Sequence, residues 1–328
     1  MSNQPDETRI LQIPLNSIDL ADTRYRISKG DDDISGLALS IKQNGLTSLP
    51  LVRSMGKSSD TYIVVAGLKR VNALVHNGFK GNVVCQTIPQ ATEADYAVHA
   101  VSDNAFSRPL TPAELIKSIL ILTQFMDKNL IAEKSLSIFN TQLNQGYIND
   151  LQRIGTFLPQ GGLKLMDDGR LSIKSAKKIS GEPPELANCF VSLFSAIKTS
   201  SSKQMEIITN FLEIAARENI SPLDLYQDKK IQDILVSENK DLGFKGNLLR
   251  YCLIERRFPH LEKKRQEIQK KINSLKLGPG IKLNLPDNFE STSYSLTFEF
   301  KNLAEFTNRV DSINRVSNHP DLVEILKR

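Results

Sequence analysis

The sequence predicts an α/β domain first, an all-α region after it, and a small α+β region at the C-terminal end. Three observations predict this order. Residues 9–90 alternate between β-branched runs and short segments of helical period. From Thr92 to Glu218 the period is helical almost throughout. Strand-like runs return only after residue 280.

The elements follow in chain order. "RILQIPLNSI" (9–18) reads as a strand. "DISGLALSIKQNG" (33–45) places Ile34, Leu37, Ala38 and Ile41 at helical spacing, with Gly45 as the stop. "LPLVRS" (49–54) and "YIVVAG" (62–67) are predicted strands, separated by the turn-rich "MGKSSDT". "KRVNALVHNG" (69–78) is a second helix with Val71, Leu74 and Val75 inward and Gly78 as its C-terminal stop. "NVVCQTI" (82–88) completes a small, mostly buried sheet.

Helices are predicted at 93–102, 112–127, 130–139, 145–154, 161–168 and 172–179. The start at Thr111-Pro112-Ala113-Glu114 is the most explicit, because it combines a Thr cap, Pro in the first position and Glu three residues after the cap. "SGEPPE" (180–185) marks a boundary, and 186–218 resumes as amphipathic helix, interrupted by "KTSSSKQ" (198–204). Residues 247–277 carry a heptad-like stripe through Tyr251, Ile254, Phe258, Leu261, Arg265, Ile268, Ile272 and Leu275, which Pro259 must kink or divide. Two strands, "IKLNL" and "YSLTFEF", and a helix at 302–315 close the chain. The predicted domains are 1–92, 93–182, 183–246 and 247–328.

Composition narrows the class. Apolar residues make up 40% of 328, and no window reaches the roughly 18 apolar residues of a membrane span. "MSNQPDETRI" lacks the basic-then-apolar pattern of an export signal, so the sequence predicts a cytoplasmic protein without a membrane partner. Cys85, Cys189 and Cys252 are far apart and the four His are scattered, which argues against a disulfide framework or a zinc site. The motifs GxxxxGK[ST], GxSxG and HExxH are absent. Net charge is +5, yet Lys245–Lys282 alone holds eleven Lys/Arg against three Glu, which leaves the rest of the chain net negative. Such concentration suits a polyanion-facing segment or a solvated helix.

Within "YIVVAGLKRVNALVHNG" (62–78), Lys69 and Arg70 fall on the first helical turn, where the helix dipole disfavours cations. Gly67 lets the chain turn tightly, and a helix N-terminus suits a phosphate. Lys69 and Arg70 would then supply a point charge and a bidentate donor. The residues alone also fit a plain turn carrying two solvated cations.

The order of "ADTRYRI" (21–27), "LALSIKQNGL" (37–46), "AGLKRVNAL" (66–74) and "DNAFSRPLTPAE" (103–114) resembles the N-terminal domain of the ParB partition proteins, on the ParB/sulfiredoxin-like fold. In that family a Gly-Glu-Arg-Arg box and a Glu-Asn-x-x-Arg box build a CTP pocket. "LPQGGLKLMDDGRLSIKSAKKIS" (158–180) continues the resemblance, which covers residues 9–180. It implies nucleotide-binding roles for Arg24, Arg26, Gly67, Lys69, Arg70, Asn104 and Arg108, with Asp103 and Asn104 as Mg²⁺ ligands and Asp103 as the candidate catalytic carboxylate. Leu68 stands where the family has Glu, and Ser107 where it has Arg. Both departures count against turnover more than against binding, so CTP hydrolysis is at most weak. Leu68 also excludes the thiol chemistry of sulfiredoxins, which need Cys after the glycine.

The resemblance further implies a helix-turn-helix domain built from "IAEKSLSIFN" (131–140) and "QGYINDLQRIG" (145–155). Asn144, Gln145, Tyr147, Asn149, Gln152 and Arg153 would face DNA bases, since Asn, Gln and Arg suit bidentate contacts in the major groove. An ordinary polar helix face is an equal reading of the same residues. Lys174, Lys177 and Lys178 suit phosphate contacts. The C-terminal region would dimerise, and the implied partners are DNA, a second copy and a ParA-type ATPase, in a nucleoid-associated protein. The alternative is a DNA-binding regulator with a degenerate pocket. A nuclease or small-molecule kinase has the least support, and the Asp31–Asp33 run reads as helix-start charge.

Overall fold

The structure, a computed structural model, describes residues 8–28, 33–56, 60–88, 91–238, 240–284 and 294–326. Asp31 and Asp32 of the acidic run lie outside the described residues. The chain divides into two compact units, one of residues 1–205 with 238–244, the other of 206–237 with 245–328.

The first unit begins with β1 (Arg9–Pro14), a 3₁₀ turn (Leu15–Ser17) and β2 (Ile18–Asp19). Then come α1 (Ser35–Asn44), β3 (Leu51–Ser54), β4 (Tyr62–Ala66), α2 (Leu68–His76) and β5 (Asn82–Thr87). The five strands lie in the order β1-β5-β3-β4-β2. β1 pairs antiparallel with β5, and β3 antiparallel with β4, while β3–β5 and β2–β4 are parallel. The single strand expected over 9–18 is thus two strands on opposite edges of one sheet.

Side chains alternate across a strand, and β4 uses both faces. Val64 packs with Val52, Ile41, Val71 and Leu74 beneath α1 and α2. Ile63 and Val65 pack on the other side with Tyr25, Leu51, Tyr96 and Ala100. A strand buried on both faces reads as a continuous apolar run, which is why "YIVVA" shows no alternation. The sheet is not buried throughout: β1 is exposed except at Ile13, and Val75 faces solvent, contrary to the inward position its spacing predicts.

α3 (Glu93–Ser107) and α4 (Pro112–Leu122) follow, each starting with a complete capping box, Thr92/Asp95 and Thr111/Glu114. Next are α5 (Lys128–Glu133), α6 (Ser135–Phe139), α7 (Gln145–Phe157), α8 (Gly162–Asp167) and α9 (Ile173–Ile179). The helix expected over 130–139 is divided at Lys134. Ile148, Leu151 and Ile154 of α7 are buried at three-residue spacing, as are Ile116, Ile119 and Leu122 of α4. α10 (Pro184–Ala196) follows, and α11 (Ser201–Glu218) begins at the end of this stretch, with residues 206–218 counted in the second unit.

In the second unit, α12 (Pro222–Tyr226) and α13 (Lys229–Val236) precede α14 (Leu242–Arg257) and α15 (Pro259–Ser274). The long helix is divided, not kinked: Phe258 leaves helical geometry at φ −124° and ψ 61°, and Pro259 opens α15. Its stripe does not form one continuous seam. Tyr251 is 55% exposed, whereas Ile268, Ile272 and Leu275 are buried against Ile281, Val316 and Ile325 of the same unit. The side chains of Leu261 and Arg265 lie outside the described residues. β6 (Ile281–Asn284) and β7 (Ser295–Phe298) form an antiparallel pair, followed by α16 (Leu303–Val316) and α17 (Pro320–Leu326). Two arginines of the basic run are held by carboxylates. Arg256 pairs with Glu218 at 2.7 Å and Asp228 at 2.8 Å, and Arg257 pairs with Glu213 and donates to Asn210 at 2.5 Å.

Candidate functional site

Gly67 follows β4 and caps α2 in the left-handed region, at φ 85° and ψ 23°. This geometry is cheap only for glycine. With no side chain at the cap and no acidic residue in the first turn, nothing in the local sequence neutralises the positive end of the helix. A cleft of about 240 Å³ opens at this point. Gly67, Lys69 and Arg70 form its floor, Tyr25, Arg26 and Ile27 one wall, and Asp103, Asn104 and Arg108 of the α3 end another.

The cations of this cleft are half-buried at Arg26, Lys69 and Arg70 and do not form a plain solvated face. Arg70 curls back toward Gly67: a β-carbon there would stand 2.9 Å from Arg70 Nη1 and 3.1 Å from Pro50 Cα. Arg70 Nη2 lies 3.9 Å from Asp103 Oδ2, a loose ion pair that leaves room for a closer anion. Arg26 Nε is buried with no hydrogen-bond partner among the described residues, a costly state for a charged donor.

The other arginines differ. Arg24 is not in the cleft wall. It holds Asp22 through Nε at 3.0 Å and Nη2 at 2.8 Å, and its guanidinium keeps the Asp22 carboxyl below the usual range although burial works to raise it. Arg108 reaches the cleft but is clasped by the buried Glu114, with Nη1 and Nη2 donating at 2.7 Å and 2.6 Å. The family's second-box arginine therefore has no freely disposed equivalent here: Ser107 donates to the Asp103 carbonyl at 2.5 Å, and Arg108 staples the start of α4.

The donor set fits the group that the resemblance implies. An uncapped helix start, an Arg26 Nε without an acceptor among the described residues and the adjacent Lys69 and Arg70 suit a polyphosphate. Asp103 and Asn104 both line the cleft; Asn104 Nδ2 donates to the Ala100 carbonyl at 2.9 Å, which leaves its Oδ1 as acceptor. One carboxylate and one amide oxygen form the sparse set Mg²⁺ takes when phosphates supply other ligands. No cluster of three or more His, Cys, Asp or Glu suited to a metal occurs among the described residues.

Sequence reading missed one cluster. Tyr25 is 3% exposed and donates its hydroxyl to Glu93 Oε2 at 2.6 Å, while Arg53 Nη1 donates to that hydroxyl at 2.8 Å and pairs with Glu93. Burial, with the Glu93 hydrogen bond, pushes the phenol up to about 12. No local signal reveals this cluster, because its members lie 28 to 68 residues apart.

The predicted DNA-facing residues are gathered on α7 and α9. Asn144 caps α7 by accepting from the Tyr147 amide at 2.8 Å, so its side chain serves the helix start. Gln145, Asn149 and Arg153 are exposed at spacings of four along one face, Asn149 accepting from Lys128 at 2.8 Å. Tyr147 and Gln152 are half-buried. On α9, Lys174 is exposed, Lys177 pairs with Asp150 at 2.7 Å and Lys178 with Glu182 at 2.8 Å.

Residues 1–102 match the family described as the ParB N-terminal domain, which bears out the resemblance read from the sequence. A curated relative, "Probable chromosome-partitioning protein ParB" of Chlamydia trachomatis serovar D, is 27% identical over 188 residues, covering 55% of this chain. The chain spans 62% of that relative's length. Two solved structures of C-terminally truncated ParB from Caulobacter crescentus are similar over 97% of their own length. One, complexed with CTP-γ-S, has 19% identity, covers 56% of this chain and gives a TM-score of 0.27. The other, complexed to the centromeric parS site, has 16% identity, covers 67% and gives 0.35. A Pnob8-like ParB-N domain structure has 13% identity over 83% of this chain and 99% of its own, with a TM-score of 0.37. No helix among the described residues is long and apolar enough to cross a membrane.

Proposed function

We propose that this chain, whose first 102 residues match the ParB N-terminal domain, is a DNA-binding partition protein with a CTP-type nucleotide switch. The observation that carries the proposal is the cleft at Gly67, where an uncapped helix start meets three half-buried cations. Arg26, Lys69 and Arg70 would hold the phosphates, and Asp103 with Asn104 would hold Mg²⁺. The bound metal-nucleotide would neutralise this cluster and draw its walls together. A nucleotide can shift the protein between open and closed arrangements only by its differential affinity for the two. Two copies closing in this way would form a clamp on DNA. In this reading 93–182 supplies the helix-turn-helix, with Gln145, Asn149 and Arg153 toward bases and Lys174 and Lys177 toward phosphates. Residues 247–328 would provide the dimer contact, for which the exposed Leu303 and Phe300 offer apolar surface. A ParA-type ATPase remains the proposed partner and the nucleoid the proposed location.

A second reading is favoured by the Arg108–Glu114 clasp, which occupies an arginine the family pattern assigns to the nucleotide. With Leu68 in place of a carboxylate, the chain would then be a DNA-binding regulator whose pocket is degenerate. Equilibrium binding of CTP, ATP and GTP, each with and without DNA, separates the two. Micromolar to submillimolar CTP binding that chelation of Mg²⁺ weakens supports the switch. Absence of binding of all three at millimolar concentration leaves the regulator.

A further inference from the structure

We propose that Tyr25 is a positioning residue for the nucleotide cleft, and that Glu93 and Arg53 act on the cleft through its hydroxyl; this inference rests on the function proposed above. Tyr25 lies between two arginines with different fates. Arg24 is held by Asp22 and does not line the cleft, whereas Arg26 does. A turn closed by the Arg26 amide donating to the Thr23 carbonyl at 2.9 Å carries all three residues. Among the described residues this turn belongs to no helix or strand, so its shape depends on what anchors Tyr25.

The anchor has two parts. The ring is buried in the core face formed by Ile63, Val65 and Ala100, with its centroid 6.3 Å from that of Tyr96. The hydroxyl is fixed by one charged acceptor and one charged donor, Glu93 at 2.6 Å and Arg53 at 2.8 Å. Arg53 is itself held over the Tyr96 ring, 5.4 Å from the centroid. Glu93 is the first residue of α3, the helix whose far end carries Asp103 and Asn104. One hydroxyl therefore ties the Arg26 wall to the helix that builds the opposing wall, and to β3 through Arg53. Charge-assisted hydrogen bonds of this length are about twice as strong as neutral ones. A side chain holding another in place acts through preorganisation, and a misplacement of about 1 Å in such a group is enough to weaken binding severalfold.

Tyr25→Phe isolates the hydroxyl. The ring and its packing remain, and Arg53 and Glu93 still pair with each other, so the variant keeps its fold, which a thermal melt verifies. The test is a double-mutant cycle on Mg²⁺–CTP affinity with Tyr25→Phe, Arg26→Ala and the pair, measured on the full chain by calorimetry. Tyr25→Phe alone is expected to weaken binding about 5- to 20-fold and to add less than 2-fold once Arg26 is absent. Glu93→Ala should reproduce the loss and not add to it. A structural role for the hydroxyl unrelated to Arg26 would give the same loss in both backgrounds, and that result overturns the proposal. So does wild-type affinity in Tyr25→Phe. Absence of CTP binding by the wild type is a different outcome, which removes the nucleotide reading itself and this inference with it.

Discussion

Replacing Gly67 by Ala perturbs the cleft in two separable ways. The first is backbone strain. Gly67 has φ 85°, and an L-residue held in the left-handed region costs about 1–2 kcal/mol. The second is contact. The new β-carbon would stand 3.1 Å from Pro50 Cα, which is backbone and yields little, and 2.9 Å from Arg70 Nη1, which can swing away. Strain and crowding together come to about 2–3 kcal/mol. With a urea dependence of about 2–3 kcal/mol per molar, the midpoint of the N-terminal unit should fall by roughly 1 M. Arg70 must leave its place as well, and on the function proposed above the loss of a charged bidentate contact of about 1.5–3 kcal/mol should weaken nucleotide affinity about 10- to 100-fold. Gly78→Ala is the control: its φ is 71°, but nothing lies within 4 Å of its β-carbon. It should show the strain alone and leave nucleotide binding intact. If Gly67→Ala and Gly78→Ala match in both urea midpoint and CTP affinity, the argument from close approach is refuted.

Other perturbations follow from the same structure. Burial of Glu114 works to raise its pKa, but the Arg108 clasp and the Thr111 amide outweigh it and hold the carboxyl below its ordinary 4.5. Its stabilisation is therefore complete above that value and is lost as pH falls through the lowered one. Urea midpoints recorded from pH 6 to pH 3 should drop less steeply in Glu114→Gln than in the wild type. Arg256→Ala deprives Glu218 and Asp228 of their shared partner and should lower the stability of the second unit by about 2 kcal/mol, read as a shifted urea midpoint. Lys174→Ala should weaken DNA binding equally on all sequences and reduce the log–log salt slope by about 1, whereas Arg153→Ala should weaken binding to a preferred site more than to random DNA. Fluorescence anisotropy at several salt concentrations distinguishes these outcomes.

Much of the fold could be read locally because its signals are local. The Thr111–Glu114 start is a capping box in the structure, and the apolar run of β4 marks a strand buried on both faces. α17 also carries a local signal, Pro320 at its start followed by Asp321 in its first turn. The heptad-like stripe misled because spacing cannot say which partner covers it. Ile268 and Ile272 are covered by the unit's own strand and helices, and Tyr251 is left outside. At the site, Gly67, Lys69 and Arg70 were legible because a turn and a helix start set their geometry. The fates of the arginines were not. Which partner occupies a guanidinium is settled only by the folded chain: Asp22 holds Arg24, which does not line the cleft, and Glu114 clasps Arg108, which does. The Tyr25 anchor was invisible for the same reason, since Arg53 and Glu93 reach it only after folding.

The central claim is that a nucleotide's phosphates sit at the start of α2. Backbone amide NMR of the isotopically labelled full chain, titrated with Mg²⁺–CTP, tests it most directly. The account predicts saturable shifts largest at residues 67–71 and 103–108, with Arg70→Ala reducing affinity at least tenfold. Saturable binding that leaves those amides unmoved, or wild-type affinity in Arg70→Ala, would contradict it.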